Sequence, residues 1–227
     1  MHNLTIVNYA VSILPITAYA IIYILFFSLA QTLNYTTYFI PSASDIISLD
    51  PEYQIFSIMM TIAYLTIIFV FYIHDKIRSI LRNRSRSSNT KKFDIFKIIS
   101  YVSFILYVLG GILLSFIPYS SSPIIVNISQ NLNTYGGIAL FLVCDLYNAA
   151  LGFPSTMVSR IFTWVNLVTS FLNVIVRCYI FYSTESQQWW TISTVFHVLA
   201  QITGFLKLTF LSRDLPKSAI RMSRKII

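Results

Sequence analysis

Six long apolar runs separated by short polar segments dominate the sequence. A helix needs about 20 mainly apolar residues to cross the hydrocarbon core of a bilayer, and each of these runs reaches that length. The pattern therefore predicts an all-α fold: an integral membrane bundle of six transmembrane helices, forming a single domain over residues 1–227. The predicted spans cover approximately residues 9–29, 54–73, 98–117, 132–151, 161–182 and 191–211.

The composition agrees with this pattern. Of the 227 residues, 56% are hydrophobic and 11% are charged, and the mean hydropathy is +0.70. Soluble domains carry about a quarter charged residues, so this chain has too little polar surface to stay in solution. Cys144 and Cys178 both lie inside apolar runs, which excludes a disulfide framework. The net charge of +8 comes mainly from segments beside the spans, which favours anionic lipid headgroups as partners and disfavours nucleic acid.

Residues 74–97 form a basic stretch that holds eight of the sixteen Lys and Arg residues. We interpret it as a cytosolic loop, because basic loops stay on the cytosolic face. Arg160 and the tail at 212–227 fall on the same face, which predicts that both termini are cytosolic. Topology alone explains the charge as well as lipid binding does. The side chains predicted to contact anionic lipid are Lys76, Arg78, Arg82, Arg84, Arg86, Lys91 and Lys92.

Four ionisable side chains lie inside the predicted spans, where they are costly and are therefore functional candidates. Arg177 and His197 are predicted at matched depth on consecutive spans, which suggests a polar lumenal pocket capped by the acidic first loop. Alternatively, Arg177 extends to the headgroups and His197 bonds a backbone carbonyl. Asp145 is expected to pair with Lys207, or with a Ser or Asn side chain, as a packing contact. The three histidines cannot converge, so neither a metal site nor a cofactor is expected.

The segment from Phe39 to Phe56 (FIPSASDIISLDPEYQIF) resembles the first lumenal loop of the Frag/DRAM/Sfk superfamily, which includes the damage-regulated autophagy modulators and the GPI-anchor remodelling proteins. The residues that carry the resemblance are Pro41, Ser44, Asp45, Pro51 and Glu52. The resemblance implies six spans with both termini cytosolic. Two departures stand out: Ile46-Ile47 replaces a glycine that often follows the Ser-Asp pair, and His197 occupies a position where relatives often carry an acid.

Together these features favour a multi-pass membrane modulator, without enzymatic chemistry of its own, that acts through lipid or protein contacts in trafficking or autophagy. Endomembranes (lysosome, Golgi or ER) are the expected location, with the plasma membrane as the alternative. Two other functions remain open. One is lipid remodelling of GPI anchors, which needs a lumenal lipid pocket lined by Asp45, Arg177 and His197. The other is an auxiliary subunit of a larger membrane protein complex.

Overall fold

A computed structural model describes residues 13–25, 28, 32, 52–84, 90–117, 122–182, 187–211 and 214, and the architecture of this part is all-helical. The helices are α1 (Ile13–Leu25), α2 (Glu52–Arg84), α3 (Thr90–Phe116), α4 (Pro123–Ala150), α5 (Met157–Tyr182) and α6 (Gln187–Leu211). Within the described residues, α2, α3, α5 and α6 are each long and apolar enough to cross a membrane.

Several helices extend beyond the predicted spans. α2 continues to Arg84 and α3 begins at Thr90, so most of the basic stretch is helical. Lys, Arg and Leu are good helix formers, and a helix need not end where it leaves hydrocarbon. α4 begins at Pro123, well before the predicted start near Leu132. Proline in the first helical turn loses no hydrogen bond, and the polar residues that follow turn one face toward the interior of the bundle.

The turn between α4 and α5 has a defined geometry that aligns both helices. Gly152 adopts φ +83, a left-handed conformation that glycine accepts without a Cβ clash. Its N–H donates to the Ala149 carbonyl over 3.0 Å, and the Phe153 N–H donates to the Asn148 carbonyl over 2.9 Å. These two bonds form a Schellman motif. The chain reverses within a few residues and places the first turn of α5 beside the end of α4.

An aromatic core joins α1, α2, α3, α4 and α6. The Tyr19 ring stacks on Phe205 with centroids 4.5 Å apart, and Phe71 stacks on Phe104 at 4.0 Å. Such pairs stabilise a core by about 0.5–1.5 kcal/mol beyond simple burial. The described part of α1 therefore belongs to the bundle, because Tyr19 and Ile22 lie in the same buried cluster as residues of α2 and α6.

α3 and α4 approach more closely than the other helices, since glycines face the neighbouring backbone. A Cβ on Gly110 would lie 2.4 Å from the Asn133 nitrogen, and one on Gly136 would lie 2.6 Å from the Tyr107 nitrogen. Small residues at such contacts allow membrane helices to pack backbone against backbone. This contact fixes Asn133 and Tyr107 in the centre of the bundle.

Large apolar side chains cover the outside of the helices. Ile62, Ile105, Trp164 and Phe171 are each more than half exposed, on α2, α3 and α5. Soluble monomers rarely expose apolar surface this widely, whereas hydrocarbon solvates it. The fold is therefore that of an integral membrane protein with an apolar exterior.

Candidate functional site

A charged cluster lies where α4 ends and α5 begins; it consists of Asp145, Ser159, Lys207 and Asp214. Lys207, on α6, is fully buried. Its ammonium donates to Asp145 Oδ1 at 2.5 Å, to Ser159 Oγ at 2.6 Å and to the Ser159 carbonyl at 3.3 Å. Asp214 Oδ2 lies 4.0 Å away. The three N–H donors of the ammonium thus all have acceptors.

The two carboxylates of the charged cluster also accept several hydrogen bonds. Asp145 accepts from the Ser155 hydroxyl and, at 2.8 Å, from the Thr163 hydroxyl. Asp214 accepts from Ser159 Oγ at 2.5 Å and from both the N–H and the hydroxyl of Thr156 at 2.9 Å. Since Thr156 immediately precedes α5, Asp214 supplies a negative charge and an acceptor at the amino end of that helix, where both are favourable.

The ion pair between Asp145 and Lys207 that the sequence predicted is present. Sequence reasoning missed the second carboxylate, because Asp214 follows the last apolar run and was assigned to the tail. The signal was its spacing: Asp214 lies seven residues after Lys207, about two helical turns, and beyond the end of α6 its N–H still donates to the Phe210 carbonyl over 3.0 Å. Nothing in the sequence distinguishes Ser159 from the many other serines of the chain.

Arg78 forms a second buried polar contact at the same end of the bundle. Its side chain is 1% exposed; Nε donates to Asn148 Oδ1 and Nη2 donates to the Cys144 carbonyl, both at 2.9 Å. The guanidinium also lies 5.0 Å from the centre of the Tyr147 ring. Arg78 therefore faces the interior and not the lipid headgroups that the charge pattern predicted for it. The physical reason is that α2 stays helical past residue 73 and carries this side chain inward.

Of the other six side chains predicted to contact lipid headgroups, the structure describes four and leaves two outside the described residues. Lys76, Lys91 and Lys92 are exposed, and Arg82 pairs with Asp94 at 2.6 Å across the ends of α2 and α3. Their contact with anionic lipid stays a prediction. Arg86 lies outside the described residues, and the Arg84 side chain does too.

An uncharged amide cluster lies deeper in the bundle and is formed by Tyr64, Gln130, Asn133, His197 and Gln201. Asn133 donates to the Tyr107 carbonyl at 2.7 Å and to the Tyr64 hydroxyl at 3.3 Å. Gln201 Nε2 donates to Asn133 Oδ1 at 2.5 Å, and Gln130 Nε2 lies 3.2 Å from His197 Nδ1. These bonds connect α2, α3, α4 and α6 without any formal charge.

Two small voids flank the amide cluster, and His197 and Gln201 line both of them. The first is a cleft of about 370 Å³, including the open space at its mouth. The enclosed part of each void has room for about one or two water molecules. Within the described part of the chain, Gln201 Oε1 and the Tyr107 hydroxyl are buried without a hydrogen-bond partner. The polar groups of this region are thus only partly satisfied.

The remaining predicted site residues are placed as follows. Arg177 donates to Asn127 at 3.4 Å, and His197 contacts Gln130. Asn127 and Gln130 lie three residues apart on one face of α4, so Arg177 and His197 lie side by side along that helix. His197 bonds a side-chain amide and not the backbone carbonyl that was the alternative. Pro41, Ser44, Asp45 and Pro51 lie outside the described residues, and Glu52 is the first residue of α2.

The apolar exterior and the buried polar clusters define the chain as an all-helical membrane protein. No family model, curated protein or solved structure matches the chain. Among the described residues, no group of His, Cys, Asp and Glu side chains could hold a metal ion.

Proposed function

We propose that the chain is a six-span membrane protein with both termini cytosolic. In this proposal it resembles the damage-regulated autophagy modulators and acts in endomembrane or lysosomal trafficking and autophagy, through lipid or protein contacts within the bilayer. It carries out no chemistry of its own. The observation that supports this proposal best is the saturation of the charged cluster.

A catalytic or proton-transferring group needs a position left open for its substrate or for the transferred proton. In the charged cluster, Lys207 uses its three donors on Asp145 and Ser159, and Asp214 accepts from Ser159 and Thr156. Asp145 accepts two further hydroxyl bonds. A buried ion pair that is fully bonded in this way specifies how α4, α5 and α6 pack. This arrangement suits a scaffold that presents surfaces to lipid or protein partners.

The distribution of charge supports the proposed orientation. Lys76, Arg82, Lys91 and Arg160 all lie near the turn between α4 and α5 or near the adjacent ends of α2 and α3. By contrast, the described residues near the other ends of α5 and α6 include one cation, Arg177. Basic residues concentrate on the cytosolic side of membrane proteins, so this end faces the cytosol in the proposal.

A second candidate function is lipid remodelling of GPI anchors in the lumenal leaflet. The observation in its favour is the cleft beside His197, which combines a polar end with aromatic walls from Tyr19, Tyr23 and Phe56. Arg177 lies beside His197 and could attract a phosphate. This reading places the lipid near the residues that the sequence singled out.

The test uses cells that lack the protein, because each candidate function predicts the loss of a different cellular activity. In the proposed function, autophagic flux falls in these cells and is restored by the wild-type chain and by Arg177→Leu. Surface levels of GPI-anchored proteins stay unchanged. If surface GPI-anchored proteins fall in these cells and are restored by the wild-type chain but not by Arg177→Leu, remodelling is the function. If flux is normal without the protein and native purification yields a stoichiometric membrane complex, the chain is an auxiliary subunit.

A further inference from the structure

The amide cluster contains hydrogen-bonding groups that the described protein residues leave unused. Gln201 is 9% exposed, and its Oε1 is a buried acceptor without a partner. A buried acceptor left unsatisfied is destabilising, so such a group calls for an occupant that donates a hydrogen bond. Gln201 lines both voids, so its side chain borders the space that an occupant would fill.

His197 supplies the opposite half of the same site. An amide nitrogen can only donate, so the 3.2 Å contact from Gln130 Nε2 makes His197 Nδ1 the acceptor. The ring proton of the neutral imidazole therefore resides on Nε2. His197 and Gln201 lie four residues apart on α6, which places their side chains on one face of the helix. One face of α6 thus carries an N–H donor and an unfilled acceptor about one helical turn apart.

This pair of groups selects the chemistry of the occupant. A hydroxyl can donate to Gln201 Oε1 while its oxygen accepts from His197 Nε2. A deprotonated phosphate or carboxylate has no proton to donate, and an ammonium has no lone pair to accept with. Among the described residues, no charged side chain lines either void. The site therefore favours an uncharged hydroxyl group over an ionic headgroup.

The walls of the first void favour a hydroxyl attached to an apolar body. Beyond His197, Gln201 and Ser115, the described residues that line it are aromatic or apolar, together with one glycine. These include Tyr19, Phe56, Met60, Leu114 and Val198. The enclosed part is the size of a hydroxyl or a water molecule, and the open part continues along these apolar walls.

We propose that the cleft between α1, α2, α3 and α6 binds an uncharged, hydroxyl-headed lipid, with the hydroxyl held between His197 and Gln201. A sterol and a diacylglycerol share this chemistry. The site rests on the proposed function in one respect, namely that lipid contacts in the bilayer are one way in which the protein acts. Direct binding to purified protein separates the two claims, because the cellular role can persist through protein contacts if binding is absent.

The experiment uses the full chain in phosphatidylcholine nanodiscs and two photoactivatable probes, a diazirine sterol and a diazirine diacylglycerol. We expect one probe to label α6 or α2 in peptide mapping, and the matching unlabelled lipid to compete. His197→Asn keeps an acceptor for Gln130 but removes the Nε2 proton, so labelling should fall about tenfold, as expected for one lost hydrogen bond. Val198→Phe fills the cleft and should abolish labelling.

Leu199→Phe is the matched control, since Leu199 is 42% exposed on the same helix and lines neither void. It should label as wild type does, and thermal melts of all variants identify any that misfold. Three results overturn the proposal: no competable labelling by either probe, which means that the voids hold water only; equal labelling of Val198→Phe and wild type; or equal competition by an anionic phospholipid. The probe that labels identifies which of the two lipids the site takes.

Discussion

The charged cluster and the amide cluster are two polar regions in one apolar bundle, and both join α4 to α6. The charged cluster contains a buried ammonium and two carboxylates, each with several hydrogen-bond partners. The amide cluster contains no charge, yet Gln201 Oε1 lacks a partner and voids lie beside it. The groups most expensive to bury are the ones that are fully satisfied. A cluster whose hydrogen-bonding groups all have partners fixes helix packing, whereas a cluster with an unsatisfied group can accept a ligand.

The largest effect should come from Lys207→Met, which removes the ammonium and leaves the buried Asp214 and the half-buried Asp145 without their counter-charge. Breaking a buried ion pair by removing one partner costs about 3–5 kcal/mol. We expect the free energy of unfolding to fall by that amount in detergent, measured by denaturant titration with fluorescence detection. Adding Asp145→Asn should recover part of the loss, because an uncharged amide then replaces one of the two carboxylates.

Lys97→Met is the matched control for this substitution. Lys97 is only half-buried and lies 5.8 Å from the Tyr101 ring centre, so its loss should cost less than about 1 kcal/mol. Equal stability of Lys207→Met and Lys97→Met would mean that the charged cluster does not hold the bundle together.

The comparison also explains what the sequence could and could not predict. Apolar runs identified the helices that make up the described bundle, since length and hydropathy decide which segments enter hydrocarbon. The pairing of Asp145 with Lys207 was predicted correctly, because charged side chains inside membrane spans are rare and usually form ion pairs with one another. Arg78 was assigned to the headgroups, since residue counting cannot tell which face of a helix extension turns inward.

The amide cluster was harder to anticipate. His197 was singled out as ionisable, but Asn133 and Gln201 are neutral and resemble many other polar residues in the spans. The contact between these two side chains depends on the close approach of α3 and α4 at Gly110. This is a tertiary contact, and the local sequence pattern does not predict it. The acidic loop around Asp45, which the sequence linked to His197, lies outside the described residues.

Arg78→Leu should have the second largest effect and extends the comparison to a buried charge with neutral partners. The substitution leaves Asn148 Oδ1 without the guanidinium, whereas the Cys144 carbonyl keeps its hydrogen bond within α4. An unsatisfied buried acceptor costs about 1–3 kcal/mol. We expect the free energy of unfolding to fall by about 2–3 kcal/mol in the same denaturant titration. Arg82→Leu is the control; its pairing with Asp94 is partly exposed, and such surface pairs contribute about 0–1 kcal/mol. If the two variants unfold alike, the burial of Arg78 does not contribute to stability.

Gly110→Ala tests the contact on which the amide cluster depends. The new Cβ would lie 2.4 Å from the Asn133 nitrogen and 2.6 Å from the Ser129 carbonyl, so α3 and α4 must separate. Overpacking of this kind costs about 1–3 kcal/mol. Gly204→Ala is the control, because its nearest neighbours would lie at 3.4 Å and alanine is the better helix former. A Gly110→Ala protein as stable as the Gly204→Ala protein would contradict the close packing of α3 on α4.

The smallest effect is expected for Tyr107→Phe, and its size reports directly on the void beside the amide cluster. The Tyr107 hydroxyl is buried and has no protein partner within the described residues, so removing it breaks no bond between described side chains. Deleting an unsatisfied polar group is nearly neutral or stabilising, and we expect a change below about 0.5 kcal/mol in lipid-free detergent. Tyr64→Phe, which loses the 3.3 Å bond from Asn133, should instead cost about 0.5–1.5 kcal/mol. A loss for Tyr107→Phe as large as that for Tyr64→Phe would mean that an ordered water molecule already satisfies the Tyr107 hydroxyl, and the contrast between a saturated and an unsaturated cluster would then apply to Gln201 alone.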